Sequence, residues 1–269
     1  MGLENRIVYD ICDVVEGKCK LRQALIKDKR FKELFLLPAA QTRDKSAVNE
    51  EQMIELTNKL REEFDFILLD CPAGIEQGFK NAIAGADRAL VVTTAEISAI
   101  RDADRIIGLL ATSQIKNPEL IINRIRPNMI KRGEMMDVED IVELLSIDLI
   151  GVIPDDEYII TQTNKGEPAV SNKKSPSGRG YMEIAQRLLG ENIEITIPGR
   201  NNGFVSKLLD PRGSGYNVLQ SKLAIGSGKL LGMGIKNGSQ TQLGYLYPQT
   251  TDFIYSAAYF IDSTSLPNI

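Results

Sequence analysis

An apolar run that ends in a carboxylate and then breaks into a turn constrains the fold of this chain more than any other feature. Residues 66–76 read Phe-Ile-Leu-Leu-Asp-Cys-Pro-Ala-Gly-Ile-Glu. A short, continuous apolar run is typical of a strand that is buried on both faces of a parallel sheet. Asp70 follows directly, where such a strand reaches the carboxyl edge at which α/β sheets bind ligands. The run therefore predicts an α/β fold and places Asp70 at a candidate ligand site.

Up to Leu209 the sequence alternates short apolar runs with amphipathic segments. This alternation predicts βαβ units and a doubly wound, mostly parallel sheet. The predicted strands are Leu34–Leu37, Phe66–Leu69, Ala89–Thr93, Leu120–Ile122 and Leu149–Ile153. The predicted helices are Glu50–Glu62, Gln77–Ala84, Ser98–Thr112, Val138–Leu145 and Arg179–Leu189. Ser98 is the expected N-cap of its helix, because a serine hydroxyl can accept a hydrogen bond from the first free amides.

Composition excludes several classes of function. The chain has no histidine, which rules out a histidine general base or a histidine metal ligand. Its formal net charge of −4 argues against nucleic acid as the main partner. Cys12, Cys19 and Cys71 have no metal-site spacing, and so few cysteines fit a reducing cytoplasm. The first residues lack the pattern of a signal peptide, and no apolar run reaches the roughly 20 residues that a transmembrane helix needs.

Half of a nucleotide site can be recognised around Asp70, and the other half has no counterpart in the sequence. In phosphate-loop ATPases an Asp in this position helps to hold Mg²⁺ on the nucleotide. The phosphates of that nucleotide lie in a glycine-rich loop of the form G-x-x-x-x-G-K-[ST]. None of the 269 residues belongs to such a loop. We therefore expect that this chain alone neither binds Mg·ATP nor hydrolyses ATP, because the phosphate cradle is absent and one Asp cannot neutralise the transferred phosphoryl group.

The character of the chain changes near Asp210. Residues 210–269 contain only seven charged side chains and eight glycines, and their helical periodicity weakens. This composition predicts a glycine-rich, irregular segment of separate origin, and a flexible tail on the preceding domain fits it equally well. We expect an α/β domain over residues 1–200, a short amphipathic remnant over residues 201–209 and a poorly ordered segment over residues 210–269.

Six stretches of the chain resemble the MinD family of septum-site-determining ATPases, a deviant group of phosphate-loop (P-loop) ATPases related to the chromosome-partitioning ATPases. The stretches are residues 1–10, 36–45, 70–76, 98–105, 151–156 and 164–168, and the resemblance extends over residues 1–209. It implies a role in placing the bacterial division septum, with ATP and Mg²⁺ as cofactors. It also implies the partners MinC and MinE, an ATP-linked homodimer, and a cytoplasmic protein that associates peripherally with the inner face of the membrane.

In that family the first strand and the phosphate loop precede the position that Met1 matches. Without that strand, two neighbouring strands of the sheet would have unpaired edges. Exposed edges invite aggregation, so we expect poor solubility or molten behaviour of the chain.

The resemblance also implies the residues of the nucleotide site. They are Asp70, Pro72, Ala73, Gly74, Asn123, Arg124, Pro154 and Asp155, with Asp70 holding Mg²⁺ directly or through water. From chemistry alone, the Asn123 amide could read adenine through its paired donor and acceptor groups, or it could cap a turn. Asp70 could likewise be a metal ligand or a structural cap of the turn that follows it.

Two further surfaces are implied by the same resemblance. MinC and MinE would contact Ser98, Asp102 and Asp104, although two acids on a helix are more often only a solvated face. The membrane would contact an apolar set with i, i+4 spacing, formed by Phe204, Val205, Leu208 and Leu209. This set spans less than two turns and equally fits a packed or frayed helix end. Because interfacial binding grows with the buried apolar area, we expect weak membrane binding at most.

Residues 210–256 have a resemblance of their own. They are similar to part of RodA, a polytopic glycosyltransferase of cell-wall elongation, and a deletion that fused two neighbouring genes would explain the join. Three alternatives to a MinD-type ATPase are open at this point. They are a non-enzymatic fragment that keeps a partner-binding helix, a decayed gene fusion with no activity, and a fragment of a chromosome-partitioning ATPase.

Overall fold

The computed structural model of the chain describes residues 7–39, 48–71, 77–113, 115–172, 174–200 and 258–262. In these ranges the strands are β1 (Ile26–Lys27), β2 (Phe35–Leu36), β3 (Phe66–Asp70), β4 (Arg88–Thr94), β5 (Glu119–Ile125), β6 (Asp148–Pro154) and β7 (Ala258–Asp262). The helices are α1 (Ile11–Val15), α2 (Leu21–Ala24), α3 (Glu50–Arg61), α4 (Gln77–Gly85), α5 (Ile97–Ala111), α6 (Pro127–Lys131), α7 (Val138–Leu145), α8 (Glu157–Asn164) and α9 (Pro176–Leu188). None of these helices is long and apolar enough to cross a membrane.

Five strands form the main sheet in the order β3-β7-β4-β5-β6. Strands β4, β5 and β6 are parallel to one another. Strand β7 is antiparallel to both of its neighbours, so β3 runs in the same direction as β4. Four of the predicted strands lie in this sheet, each slightly longer than predicted. The prediction of an α/β fold with a mostly parallel sheet is confirmed.

The fifth predicted strand, Leu34–Leu37, belongs to a different sheet. Its residues Phe35–Leu36 form β2, which pairs antiparallel with β1 in a separate two-stranded sheet. The turn between the two strands is closed by Asp28, whose Oδ1 accepts hydrogen bonds from the backbone N–H of Arg30 at 2.7 Å and of Phe31 at 3.0 Å. An apolar run predicts a strand but not its partner, and here this aspartate turn brings the hairpin together.

Strand β7 lies inside the main sheet although it comes from the segment predicted to be irregular. All of its residues pair with β3, from Ala258 opposite Asp70 to Asp262 opposite Phe66. On its other side, residues 258–260 pair with residues 88–90 of β4. The edges of β3 and β4 that we expected to be unpaired are therefore paired, because an extended segment supplies the backbone partners that buried N–H and C=O groups require. The remainder of residues 201–269 lies outside the described residues.

Helices cover both faces of β4, β5 and β6, as a doubly wound sheet requires. Helices α5 and α7 pack on one face in a core that includes Ile100, Leu110, Leu120, Ile122 and Ile141. Helix α9 covers the other face, where it contributes Ile184 to a core with Leu90, Ile121, Ile150 and Ile153.

Strand β3 is covered on one face. Ile67 packs with Met53, Leu56 and Leu60 of α3 in a separate core. On the opposite face, Phe66 is 39% exposed and Leu68 is 64% exposed. Strand β3 and α3 therefore form a layer of their own beside the main core.

Two glycines allow α9 to lie close to β6. A Cβ atom at Gly151 would overlap the side chain of Ile184, and one at Gly180 would lie 2.8 Å from Ile153 Cδ1. Real Cβ atoms do not come this close to their neighbours, so both positions need a residue without a side chain.

Helices begin where local capping allows. Helix α5 starts at Ile97 with Glu96 as its N-cap, so Ser98 lies inside the first turn and the prediction that it caps the helix is wrong. Helix α9 starts at Pro176, before the predicted Arg179, because Ser175 Oγ accepts the Gly178 N–H at 2.9 Å. Helix α7 has the predicted bounds, Val138–Leu145.

Candidate functional site

The carboxyl ends of β5 and β6 bring four of the predicted nucleotide residues together. Asn123 pairs with Thr94 across the parallel ladder. Pro154 pairs with Ile125, and the Asp155 N–H donates to the Ile125 carbonyl at 2.9 Å. Asn123, Arg124, Pro154 and Asp155 therefore share one edge of the sheet, as the sequence predicted.

An irregularity in β5 shapes this edge. The β5–β6 pairing shifts register between Ile122 and Ile125. Within the shift, Arg124 has a φ of 59°, in the left-handed region that residues other than glycine rarely adopt. The Asn123 Oδ1 accepts the Arg124 N–H at 2.9 Å, which stabilises the turn. The amide keeps two N–H donors and one acceptor position, so the capping role leaves it able to read a base.

Asp155 lies between two arginines. Its Oδ1 is 3.5 Å from Arg124 Nε, and its Oδ2 accepts a hydrogen bond from Arg126 Nε at 2.5 Å. The sequence analysis missed Arg126. Its spacing from Arg124 was no signal, because Arg124 has a φ of 59° and the alternation of side chains along an extended strand does not hold across it.

The next residue, Asp156, joins the ends of two helices. Its side chain accepts the Tyr158 N–H at the start of α8 at 2.9 Å. It also accepts the hydroxyls of Ser175 at 2.7 Å and Ser177 at 2.8 Å, and both serines are completely buried. Partial burial opposes ionisation of Asp156, but the hydrogen bonds from Ser175, Tyr158 and Ser177 outweigh it and hold the pKa of this carboxyl below its usual range. Asp156 is therefore a structural carboxylate that fixes the turn carrying Asp155.

Asp70 ends β3 and is exposed, as its predicted role requires. Asp70 pairs with Ala258, and Ala258 pairs with Leu90, so Asp70 is level with Leu90 of β4. Strand β4 continues beyond Leu90 to Thr94, which pairs with Asn123. Three strand spacings separate β3 from β5, about 14 Å at about 4.8 Å each. The structure therefore places Asp70 apart from the Asn123–Asp155 group.

The surroundings of Asp70 fit a cation that is held mainly by water and phosphate oxygens and by few protein side chains. No group of three or more Cys, Asp or Glu residues within the described ranges could hold a metal ion. Mg²⁺ in nucleotide sites commonly uses one or two carboxylates together with water and substrate phosphates, so a single exposed Asp is compatible with it. Burial, and then the Asp70 charge, raise the pKa of the adjacent Cys71 thiol, which favours its neutral form. Pro72, Ala73 and Gly74 lie outside the described residues.

Helix α5 presents the predicted partner residues to solvent. Its inward side consists of Ala99, Ile100, Ala103 and Leu110, which are buried. Ser98, Asp102 and Asp104 are exposed. At about 100° per residue, the two acids lie on opposite flanks of the exposed face. Arg101 and Arg105 lie between them, and Ile97 at the helix start is 58% exposed.

The predicted membrane residues, Phe204, Val205, Leu208 and Leu209, lie outside the described residues. Comparison with known proteins adds a separate observation on this part of the chain. A family model described as the cell cycle protein FtsW/RodA/SpoVE matches residues 198–259. This match agrees with the RodA resemblance predicted for residues 210–256.

The larger part of the chain is similar to a different family. The septum site-determining protein MinD of Bacillus subtilis is 53% identical over 211 residues, which are 77% of this chain and 79% of the relative. The chain belongs to the MinD family. The chain is therefore assigned to the MinD family and not to the chromosome-partitioning ATPases, which were the alternative.

Solved MinD structures show the same fold. A MinC:MinD cell division protein complex from Aquifex aeolicus contains a chain that is 45% identical, with a TM-score of 0.67 over 73% of this chain and 79% of that one. A MinD from Pyrococcus horikoshii complexed with Mg-ADP is 27% identical, with a TM-score of 0.58 over 67% of this chain and 73% of that one. The described part of the chain therefore has the P-loop NTPase fold of MinD proteins.

Proposed function

We propose that this chain acts in the placement of the division septum and that the exposed face of α5 binds a MinC-type partner. The observation that carries the proposal is the exposed strip of α5, which we call the α5 strip and define as Ile97, Ser98, Arg101, Asp102, Asp104 and Arg105. The proposal is also supported by the MinC:MinD complex from Aquifex aeolicus, in which the MinD chain is 45% identical to this one.

The α5 strip has the composition of a protein interface. An exposed isoleucine supplies apolar contact area, and the flanking charges provide electrostatic complementarity, which governs specificity and the rate of association. None of its charged side chains forms an ion pair with another described residue. The strip is therefore free to pair with charges of a partner.

The α5 strip lies on a helix that is packed firmly against the sheet. Helix α5 is held by Ala99, Ile100, Ala103 and Leu110, which are at most 3% exposed. Three of these residues, Ile100, Ala103 and Leu110, belong to the core that α5 shares with β4 and β5. Because partners of the family recognise an ATP-bound dimer, we expect at most weak partner binding by this chain without nucleotide.

The test is titration of the full chain with purified Aquifex aeolicus MinC by calorimetry. We expect Asp102→Ala/Asp104→Ala to weaken binding by about tenfold or more, a loss of about 1.4 kcal/mol. The matched control is Asp140→Ala/Glu143→Ala, which removes the same charge from exposed positions of α7. An equal loss in both double variants would overturn the proposal, as would wild-type binding that neither variant changes.

We extend the proposal to the nucleotide on the same basis. Asn123 would read the base, Asp155 with Arg124 would form the wall beside it, and Asp70 would hold Mg²⁺ through water. The support is the exposed edge on which these residues lie and the Mg-ADP bound by the Pyrococcus horikoshii relative. Without a phosphate loop these contacts should give only weak binding, and we assign no hydrolysis to the 269 residues.

The remaining expectations from the family are part of the same proposal. They are MinE as a second partner, an ATP-linked homodimer, no binding to nucleic acid, and a cytoplasmic protein with weak peripheral membrane binding through Phe204, Val205, Leu208 and Leu209. Sedimentation with anionic lipid vesicles checks the last of these, and Leu208→Asp should abolish whatever binding the wild type shows.

A further inference from the structure

The β1–β2 hairpin carries a cluster of basic and apolar side chains that are exposed together. The hairpin stands apart from the main sheet, because among the described strands β1 and β2 pair only with each other. We call the cluster the hairpin tip, and its members are Lys27, Lys29, Arg30, Phe31, Lys32 and Leu34, all of them exposed. Phe31 is 44% exposed and Leu34 is 46% exposed. The hairpin tip therefore presents two large apolar side chains beside four cations.

The conformation of the hairpin tip is fixed by its own turn. The buried Asp28 carboxylate accepts the N–H groups of Arg30 and Phe31. The Asp28 N–H donates to the Leu34 carbonyl at 2.9 Å, and the Leu34 N–H donates to the Phe31 carbonyl at 3.1 Å. Arg30 Nη1 donates to the Gly166 carbonyl at 2.8 Å, which links the hairpin tip to the segment after α8. A surface that is held in this way loses little conformational entropy when it binds a partner.

The charge of the hairpin tip is opposite to that of the chain. Residues 27–34 contain four cations and two acids, whereas the whole chain has a formal net charge of −4. One of the two acids, Asp28, is buried in the turn, so Glu33 is the one exposed acid of this stretch. Near an anionic surface, a molecule with this charge distribution turns its basic region toward the negative charge.

An anionic bilayer fits the hairpin tip better than duplex nucleic acid or an acidic protein does. A duplex would pair with the cations through its phosphates but would leave Phe31 and Leu34 in water. A folded protein partner needs about 800 Å² of contact on each side, more than a turn between two-residue strands offers. A bilayer uses both features, because apolar side chains enter the headgroup layer while long lysine stems keep their ammonium groups among the lipid phosphates.

We propose that the hairpin tip is a lipid-contacting site. It places Phe31 and Leu34 in the headgroup layer of an anionic bilayer and the ammonium groups of Lys29 and Lys32 on the lipid phosphates. This site adds a second contact to the proposed membrane association through residues 204–209, on which it rests. Stable attachment to a membrane takes two weak signals together, such as an apolar segment and a basic patch. Loss of either contact should therefore release the protein.

The test uses Phe31→Trp as a fluorescent probe, because the chain contains no tryptophan. The full chain is titrated with vesicles of equimolar phosphatidylcholine and phosphatidylglycerol. We expect the emission of Phe31→Trp to move to shorter wavelength and to be quenched by brominated acyl chains, since the indole leaves water. Ile54→Trp is the matched control. Ile54 is 42% exposed on α3, but its helix neighbours are Glu50, Glu51 and Glu55, so the emission of this variant should not change.

A charge variant that keeps Phe31 gives a second readout. Lys29→Gln/Lys32→Gln should weaken the vesicle affinity, measured by sedimentation, by about tenfold or more, because each cation near an anionic bilayer adds to the attraction. Lys116→Gln/Lys131→Gln removes the same charge from exposed positions outside the hairpin and should leave the affinity unchanged. Added salt should weaken binding of the wild type more than binding of Lys29→Gln/Lys32→Gln.

The outcomes separate the hairpin tip from the contact through residues 204–209. If the wild type sediments with the vesicles but Phe31→Trp shows no shift, or the two lysine double variants bind equally, the hairpin tip is not a lipid contact. If the wild type does not sediment, the membrane association fails and the hairpin tip fails with it. If Leu208→Asp leaves both sedimentation and the Phe31→Trp shift unchanged, the contact through residues 204–209 fails and the hairpin tip is supported. A DNA duplex that shifts the emission of Phe31→Trp at a lower phosphate concentration than the vesicles would contradict the lipid contact.

Discussion

At the scale of single residues, the adjacent carboxylates Asp155 and Asp156 have separate tasks. Asp155 lies at the exposed edge, where it contacts the guanidinium groups of Arg124 and Arg126. Asp156 accepts hydrogen bonds from two completely buried serines and fixes the turn. The direction in which each side chain leaves the backbone decides this division, because the two residues are chemically identical.

The first prediction concerns acid stability. The folded pKa of Asp156 is below the ordinary unfolded value of about 3.9, so ionised Asp156 stabilises the fold above that pH. This contribution is lost as the pH falls from about 4 through the folded pKa. We expect Asp156→Asn to be less stable than the wild type at pH 7, with the difference shrinking below about pH 4.

Urea denaturation at a series of pH values measures this difference. Ser177→Ala removes one hydroxyl donor and keeps the carboxylate, so its pH dependence should lie between those of the wild type and Asp156→Asn. A stability difference between wild type and Asp156→Asn that stays the same from pH 7 to pH 3 would contradict the assignment.

The second prediction concerns two glycines with opposite surroundings. Gly151→Ala forces a methyl group into Ile184 and should destabilise the fold by about 1–3 kcal/mol. Gly108 lies in the exposed face of α5, and a Cβ atom there would meet nothing within 4 Å. Gly108→Ala should therefore stabilise the fold by about 0.5–1 kcal/mol. Thermal unfolding followed by circular dichroism compares the two, and shifts of the same sign would contradict the packing at β6.

At the scale of elements, α9 is held by more than its apolar contacts. Arg187 Nη1 donates to the Ile150 carbonyl of β6 at 2.9 Å. Its Nε donates to the Ile193 carbonyl at 2.8 Å and its Nη2 to the Glu194 carbonyl at 2.6 Å. One side chain thus links the helix to the sheet and to the segment after the helix. The planar guanidinium can do this because it carries several N–H donors in a fixed geometry.

The third prediction concerns these three hydrogen bonds of Arg187. Arg187→Met keeps most of the side-chain volume but leaves three carbonyls without their donor. We expect a loss of about 3 kcal/mol in the free energy of unfolding, because three hydrogen bonds from a charged donor are lost and two of them are partly buried. Arg187→Lys keeps the charge with a single donor head and should cost less. Chemical denaturation measures both, and a loss under about 1 kcal/mol for Arg187→Met would show that water replaces the lost donors.

At the scale of the whole molecule, the sheet consists of two parts that β7 joins. Strands β4, β5 and β6 pair directly with one another and have helices on both faces, whereas β3 rests on α3 and pairs through β7. The candidate site has the same division, since Asn123 and Asp155 belong to the first part and Asp70 to the second. A nucleotide spanning the edge would contact both parts.

The fourth prediction concerns the affinity of such a nucleotide. The 269 residues include those that we propose for base-side and metal-side contacts but no phosphate-loop motif, and that loop provides most of the charge neutralisation in these sites. We expect the 269-residue chain to bind Mg·ATP with a Kd above about 1 mM, a binding free energy weaker than about −4 kcal/mol. Calorimetric titration checks this value, and tighter binding would show that other residues of the chain contact the phosphates.

Much of the fold could be predicted from local sequence. Strand β3 and Asp70 follow from an apolar run and the turn after it, and α7 follows from its periodicity and the acceptor side chain of Asp137 before it. The Asn123–Asp155 edge was predictable because parallel strands place their carboxyl ends together. These features depend on residues that are neighbours in the chain.

Other features depend on which distant segments meet, and the sequence does not encode that locally. Composition predicted an irregular tail at residues 258–262, and only the unpaired backbone of β3 and β4 makes a strand of it. The Asp155–Arg126 contact exists because the β5 register shift turns the chain there. Apolar periodicity by itself predicted β3 to β6 and the helices α3, α4, α5, α7 and α9, whereas pairing between remote backbone edges, which only the folded sheet brings together, decided the order of the strands and the place of β7.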